Sequence, residues 1–404
     1  MIEYAMPVQN EGLLHSSQMK TVLFITDLVV NTRVEMLAGI RDAASAESFH
    51  LEVVETDRLK QSISRVLNFW HPHGCIIDAA TGNAIQATRS RAIPFVLLDP
   101  DEASLLDPSV STVTSDAGGI ADLAIKELSS TGCSSYAYAG WMDDAGWSRR
   151  RAECFRARLS RLGKECRVLD GDTAKGNQQK YVRTLRDFLE SLETPCGIFA
   201  ANDQIASIVL EQLSIAEKKV PVDFFVVGVD DNPVFCDNLR PSLTSIRLGF
   251  TGAGRAAMRI LVKAIERPGA PPEKKTYHPI ALTPRLSSRR IAATSKRVMA
   301  ALDLIRREAC GGLKAQDVVL AMGLSDRMAE IEFKAATGKR ITEEITDVRL
   351  ERVKEFLSHP GQEIGPIANL CGWNSEIYLK RLFKARFGMT MSEWRRLSRG
   401  LASN

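Results

Sequence analysis

The chain has 404 residues, of which 45% are hydrophobic and 25% charged, with a formal net charge of +4. That length exceeds one ordinary domain, and the composition is that of folded globular protein, which excludes disordered and collagen-like classes. The charge is unevenly placed: Ser287 to Asn404 holds 21 Lys and Arg against 14 Asp and Glu, a balance of +7, leaving 32 against 35, or −3, for the rest. A basic C-terminal module beside a mildly acidic larger part suits nucleic-acid binding at one end only.

The eight cysteines (75, 133, 154, 166, 196, 236, 310 and 371) are dispersed without a Cys-x-x-Cys, and most sit inside apolar runs, as reduced core thiols do. His71-Pro-His73 has no acidic or cysteine partner at ligand spacing and reads as a loop before a strand, so no metal and no cofactor is expected. Residues 1–19 form a polar tail with no signal-peptide core behind it, and no apolar run reaches membrane length. The expectation is a cytoplasmic protein with no membrane partner.

From Lys20 onward short apolar runs alternate with helical stretches: Val22–Ile25, Leu51–Val54, Gly74–Ile77, Phe95–Leu98, Tyr136–Ala139, Gly197–Ala200 and Phe224–Gly228. Strands of this kind, apolar on both faces and interleaved with helices, predict parallel sheets covered on both sides. In such sheets the polar residues just beyond the strand ends line the ligand site. Here they are Asp27, Asp78, Asp99, Asn202, Asp203, Asp230 and Asp231, with helix capping the alternative for any one of them.

The last hundred residues read as two tandem helix-turn-helix units. Leu313 to Ala321 is a short helix, Met322-Gly323-Leu324 a turn, and Ser325 the cap of a helix running to about Ala336. An amphipathic helix from Ile341 to Leu357 leads to the second unit. There Ile364, Ile367, Ala368 and Cys371 share an apolar face, Gly372 supplies the turn, and Asn374 or Ser375 can cap the next helix. In that helix Leu379, Leu382, Phe383 and Phe387 form one stripe while Glu376, Lys380, Arg381 and Lys384 face outward. This shape fits a major groove. In the first unit Ile331 and Glu332 stand among the acids of Asp326-Arg-Met-Ala-Glu-Ile-Glu-Phe-Lys334, leaving Arg327 and Lys334 as its plausible DNA contacts.

The closing run Phe387, Gly388, Thr390, Met391, Ser392, Glu393, Trp394, Arg395 resembles the end of the AraC/XylS family of transcription regulators, with Met for Pro and Trp for Tyr. The larger part is similar to the LacI/GalR sensor domain. The matching residues are Asp116-x-Gly-Gly119, Trp147-Ser-x-x-Arg151-x-x-Cys-Phe155, Ala200-Ala-Asn-Asp203, Pro221-Val-Asp223, Val227-Gly-Val-Asp-Asp231 and Arg240-Pro-Ser-Leu-Thr-Ser-Ile246. The resemblance implies an α/β two-lobed periplasmic-binding-protein-like domain over 20–285, with lobe 1 about 20–140 and 247–276, lobe 2 about 141–246 and 277–285, and chain crossings near Gly140, Ser245 and Tyr277. A polar linker at 286–295 and an all-α AraC-type domain with two helix-turn-helix units over 296–400 complete the expected organisation.

Sugar pockets combine carboxylates, amides and arginine with a flat aromatic. Arg151 lies one turn after Trp147, which places a bidentate donor beside a stacking surface. Asn202, Asp203 and Asp230 are expected to accept hydroxyl protons, and Asp27, Asn31 and Arg33 to contribute from the other lobe. DNA contacts are expected from Arg327, Asn374, Ser375, Glu376, Lys380, Arg381 and Lys384. The resemblances imply a DNA-binding transcription activator controlled by a small sugar, a xylose-like pentose, acting as a homodimer with RNA polymerase as a further partner. The rival readings are a repressor relieved by sugar and a sugar-binding protein whose helical tail binds another protein. No Gly-x-Ser-x-Gly, Walker loop or His-Glu-x-x-His argues for an enzyme.

Overall fold

The computed structural model describes residues 19–26, 31–55, 63–78, 82–143, 145–169, 171, 177–289, 296–358 and 363–400. The chain divides into two compact units, Met1–Val113 with Ala253–Lys275, and Thr114–Gly252 with Thr276–Asn404. Among the described residues twelve strands fall into two sheets. They are β1 Thr21–Thr26, β2 His50–Glu55, β3 Gly74–Asp78, β4 Phe95–Leu98, β5 Ser111–Ser115, β6 Ser135–Ala139, β7 Cys166–Leu169, β8 Cys196–Ala200, β9 Phe224–Val229, β10 Thr244–Leu248, β11 Lys274–Tyr277 and β12 Pro279–Thr283.

The first sheet has the order β11-β5-β4-β3-β1-β2, and β1 to β5 pair in parallel. Val22 to Ile25 are fully buried because helices cover both faces, so the strand has no polar alternation. Leu23, Ile25, Val54, Leu67, Cys75, Ile77 and Leu97 form one core. His73, the second histidine of the His-Pro-His run, accepts the Thr21 amide on Nδ1 at 3.1 Å, a loop role ahead of β3.

The second sheet repeats the plan as β12-β10-β9-β8-β6-β7, with only β12 antiparallel to its neighbour β10. In both sheets the first strand sits between its successor and its third (β2-β1-β3, β7-β6-β8). At such a reversal the loops leave in opposite directions and open a crevice at the carboxyl ends. Thr26 and Asp78 end the reversal pair of the first sheet, and Ala139 and Ala200 end that of the second.

The chain leaves the first unit earlier than near Gly140. Strand β6 is already paired in parallel with β8, and the division between the units falls after Val113, near the end of β5. Asp116 caps the helix Ala117–Ser130 by accepting the Gly119 amide at 2.8 Å. The second crossing follows Leu248 rather than Ser245, because Ser245, Ile246 and Arg247 still pair with β12.

Among the described residues the C-terminal segment holds seven α-helices: Lys296–Glu308, Ala315–Met322, Asp326–Thr337, Ile341–Ser358, Ile367–Leu370, Glu376–Phe387 and Met391–Gly400. Ala315–Met322 starts two residues later than expected, since Asp317 accepts the Lys314 amide at 2.8 Å and sets the boundary there. Two cores lie side by side along Ile341–Ser358. One gathers Val298, Leu302, Ile305, Val318, Ala329, Phe333, Ile341 and Ile345. The other gathers Leu350, Val353, Leu357, Ile367, Cys371, Leu379, Phe383 and Met391, with Trp394 packed against it. Met391 and Trp394, the two departures in the closing run, are thus core residues, and Trp394 stacks against Phe383 and Phe387 at 5.9 and 5.5 Å.

The expected linker is shorter at its start. Leu286 is fully buried in the first helical core. Ser287 exchanges bonds with Val226, donating to its carbonyl at 2.6 Å and accepting its amide at 2.9 Å. Arg289 forms a two-pronged pair with Glu344 at 2.7 and 3.2 Å. Residues 286–289 are therefore built into the second unit, because an apolar residue and satisfied hydroxyls gain more from packing than from solvent. The remainder of the expected linker, 290–295, lies outside the described residues. Among the described residues no helix is long and apolar enough to cross a membrane, and no group of His, Cys, Asp and Glu could hold a metal.

Candidate functional site

In the second unit the helix Gly146–Arg161 begins beside the end of β6. Ser148 Oγ accepts the Trp141 amide at 3.0 Å, and Tyr138 donates from its hydroxyl to the Ser148 carbonyl at 2.9 Å, which pins the first turn to the sheet. That anchoring sets Trp147 and Arg151 one turn apart on the same face. The Arg151 guanidinium lies 4.7 Å from the Trp147 ring centre, and Trp141 packs against Trp147 at 5.9 Å. Arg151 is 4% exposed and its Nη1 donates to the Ala201 carbonyl at 2.5 Å, just past β8. Its Nε is buried without a hydrogen-bond partner among the described residues. A buried donor left open beside two indoles at a sheet reversal is a feature that a hydroxyl-bearing ligand would complete.

Asp203 is 1% exposed. Its Oδ1 accepts from Ser245 Oγ at 2.5 Å, and its Oδ2 accepts the Asn232 amide at 2.8 Å and the Cys236 thiol at 3.3 Å. Burial, and then the nearby Asp230 charge, raise its pKa well above the usual carboxylate range. Gly228 makes the arrangement possible, since a Cβ there would lie 2.3 Å from Asp203 Oδ1. Asp203 therefore ties β9, β10 and the Asp230–Asn232 turn together. In that turn Asp230 and Asp231 adopt φ of 110° and 52°, unusual for residues with side chains, and Asp230 is half-buried. Asn202 accepts the Ile205 amide at 3.0 Å, so its carbonyl serves as a helix cap.

In the first unit Arg33 donates from Nε to Asp78 Oδ2 at 2.6 Å, an oxygen that also accepts from Thr26 Oγ1 at 3.2 Å. Asp78 thus joins Arg33 at the reversal of that sheet; the run of acids at strand ends contained the signal for it. Asn31 opens the helix Asn31–Ala46, while Asp27 and the Asn31 side chain lie outside the described residues.

Sequence reasoning missed a second cluster, where β10, β12 and the helical segment meet. Arg285 pairs with Asp231 (Nη1 to Oδ1, 2.7 Å) and Asp237 (Nε to Oδ1, 3.3 Å). Nearby, Arg240 pairs with Asp303 at 3.2 Å, and Arg306 donates to the Pro284 carbonyl at 2.9 Å. Asp231 therefore faces Arg285, the residue before Leu286 of the first helical core. No sequence motif marks these residues, because they come from three separated stretches, 231–240, 284–285 and 303–306.

The two helix-turn-helix units share one plan. Gly338 and Gly388 close the two recognition helices in left-handed geometry, donating to the Lys334 and Lys384 carbonyls at 2.8 and 2.9 Å. Ser375 rather than Asn374 caps the second, accepting the Tyr378 amide at 3.3 Å. Asn374, Ser375, Lys380, Arg381 and Lys384 are exposed, as is Arg327 in the first unit. Lys380 is engaged by Glu376 one turn earlier, at 2.5 Å. The outer faces are less purely charged than the sequence suggested: Ile377 is 69% and Tyr378 56% exposed, and Met328 and Ile331 are about half exposed. Such side chains suit thymine methyl groups in a major groove.

Two family models match the chain. Residues 125–288 match the periplasmic binding protein-like domain, and residues 318–397 a helix-turn-helix domain. The xylose operon regulatory protein of Escherichia coli (strain K12) is 24% identical over 379 residues, covering 93% of this chain and 96% of the relative. The Haemophilus influenzae protein of the same name is 26% identical over 331 residues, covering 80% of this chain and 84% of its own. A solved xylose-binding transcription activator superposes with a TM-score of 0.61 at 23% identity, covering 94% of this chain and 99% of that one. The chain thus carries a periplasmic binding protein-like domain followed by a helix-turn-helix domain, and it is similar over nearly its whole length to the xylose operon regulatory protein of Escherichia coli.

Proposed function

We propose that this protein is a sugar-responsive transcription activator whose effector is a small sugar of the xylose type. The observation that carries the reading is the buried Arg151, stacked on Trp147 with its Nε open, in the same chain as two helix-turn-helix units. Arg151 and Asp230 would bind sugar hydroxyls, Trp147 would lie against the ring face, and Asp203 would hold Asp230 in place. A pentose as effector is supported by the names of the relatives. The protein acts where DNA is, in the cytoplasm, as a homodimer on paired half-sites, with RNA polymerase as the activation partner.

Sugar can alter a distant domain only through different affinities for two global states. The path available within the second unit runs from the Asp230–Asp231 turn through Arg285 to Leu286 and the first helical core.

The test has two arms on the full chain. Thermal unfolding is followed with D-xylose, L-arabinose, D-ribose and D-glucose, and duplex binding is measured on DNA selected from a random-sequence library. Stabilisation by D-xylose above the others, with a sugar-dependent change in duplex affinity, is expected. Absence of stabilisation by any pentose would refute the effector, and absence of duplex binding at low salt would favour a protein-binding tail.

A further inference from the structure

Two thiols meet in the helical segment at a place the DNA-binding reading does not use. Cys310 lies in a single 3-10 turn, Ala309–Gly311, after the helix Lys296–Glu308. Cys371 ends the short helix Ile367–Leu370 of the second helix-turn-helix unit and is fully buried. The backbones touch: at Gly372, where φ is +79°, a Cβ would sit 3.0 Å from both the Ala309 and the Cys310 carbonyl oxygens. Arg349 holds the two segments together, donating from Nε to Ala309 O at 2.8 Å and from Nη2 to Leu313 O at 3.0 Å, with its guanidinium 5.8 Å from the Trp373 ring centre. Cys310 packs against the core cluster that contains Cys371. Cys371 lies at the heart of a core, whereas Cys310 packs at its edge and is half-buried.

We propose that Cys310 and Cys371 form an oxidant-sensitive dithiol that closes to a disulfide under peroxide and thereby displaces the second recognition helix. Three features single the pair out. Cys310 packs against the core that holds Cys371, it is partly open to solvent, and the charges of Arg349 and Arg352 act on it, the electropositive and accessible setting in which thiolates react. Hydrogen bonding from Cys371, followed by the two arginines, pulls the Cys310 pKa down to about 7, whereas burial raises Cys75 and Cys166 to about 12 and Cys196 to about 11.

The chemistry balances with hydrogen peroxide as oxidant. The Cys310 thiolate attacks a peroxide oxygen, the O–O bond breaks, and hydroxide leaves and is protonated to water. Cys371 then attacks the resulting sulfenic sulfur, forming S–S as a second water departs. Two thiols are oxidised and one peroxide is reduced. A bond of about 2.05 Å would tie the end of Ile367–Leu370 directly to Ala309–Gly311. Ser375, the cap of the second recognition helix, is four residues beyond Cys371.

This inference rests on DNA binding for its readout and not on the sugar. The full chain is treated with hydrogen peroxide, its peptides are mapped by mass, and affinity is measured for a duplex selected by the reduced protein from a random-sequence library. A 310–371 cross-link should form before the other six cysteines react, with duplex affinity falling on the order of tenfold, as for loss of one base contact, and returning with dithiothreitol. Cys310→Ser, at the half-buried position, should bind the duplex like the parent when reduced and be insensitive to peroxide; Cys310→Ala provides the same test should the serine disturb folding. Earlier oxidation of another cysteine, over-oxidation of Cys310 without a cross-link, or a cross-link that leaves affinity unchanged each overturns the proposal. A reduced protein that binds no duplex would refute the DNA reading instead, and the peptide map would still decide the dithiol.

Discussion

Arg285 and Asp231 form a buried ion pair, Nη1 to Oδ1 at 2.7 Å, and both side chains are less than a tenth exposed. The pair is fully dressed: Thr283 Oγ1 donates to the other Asp231 oxygen at 2.9 Å, and Arg285 also donates to the Leu243 carbonyl at 3.0 Å. Burial opposes the Arg285 charge, but Asp231, Cys236 and Asp237 outweigh it and hold the guanidinium more firmly protonated than usual. One end of this contact is the turn carrying Asp230, and the residue after Arg285 is Leu286, a core residue of the helical segment.

Asp231→Asn should therefore destabilise the second unit by about 3 kcal/mol, the lower end of the range for breaking a buried pair, because Asp237 still faces the arginine. Urea unfolding measures it. A loss below about 1 kcal/mol, the range of exposed pairs, would show that the contact is not a buried bridge.

Arg151→Ala should abolish stabilisation by D-xylose while leaving sugar-free duplex binding near the parent value, since Arg151 and the recognition helices belong to different cores. Arg151→Lys should recover little, because a point charge cannot reproduce a planar donor stacked on Trp147. Retained xylose stabilisation in both Arg151→Ala and Asp230→Ala would move the pocket elsewhere.

On the DNA side, Arg381→Ala should cost about 1–3 kcal/mol of duplex affinity if the residue reads a base edge. Arg327→Ala should cost less, because its helix carries Asp326, Glu330 and Glu332. Glu376→Gln should raise affinity and steepen its salt dependence by about one counterion, since it releases Lys380 from its pair. Equal losses from the two arginine variants, or an unchanged salt slope, would contradict this division of labour.

A flexible twenty-residue Gly/Ser insert should uncouple sugar from DNA only where it separates the sensor contacts from the helical core. With Leu286–Arg289 already packed, the insert belongs between Arg290 and Ser295. Sugar and duplex should both still bind, with sugar no longer changing duplex affinity. Unchanged coupling would locate the signal in the direct contacts, Arg240 with Asp303 and Arg306 with Pro284, rather than in the join.

Alkylation of Cys310 by iodoacetamide should accelerate as pH rises through about 7 and level off above 8, because the thiolate is the reactive form and a lowered pKa produces it earlier. Rates per site come from timed quenching and peptide mass mapping. A midpoint near 9 would show that the Cys371 bond and the arginines do not act on it.

How much of this was legible in the chain follows from the range of each interaction. Strands such as Val22–Ile25 and the stripe Leu379, Leu382, Phe383 and Phe387 declare themselves, because burial on both faces or on one stripe writes a local period. Arg151 beside Trp147 was readable for the same reason, being one helical turn away. Both recognition helices and their glycine ends were equally local. Tertiary structure alone decided that the first crossing falls after Val113, that Asp231 turns to Arg285, that Leu286 belongs to the helical core, and that Cys310 packs against the core holding Cys371. Those partners are separated by tens of residues, and pairing across such distances depends on sheet order and core packing, which no local pattern encodes.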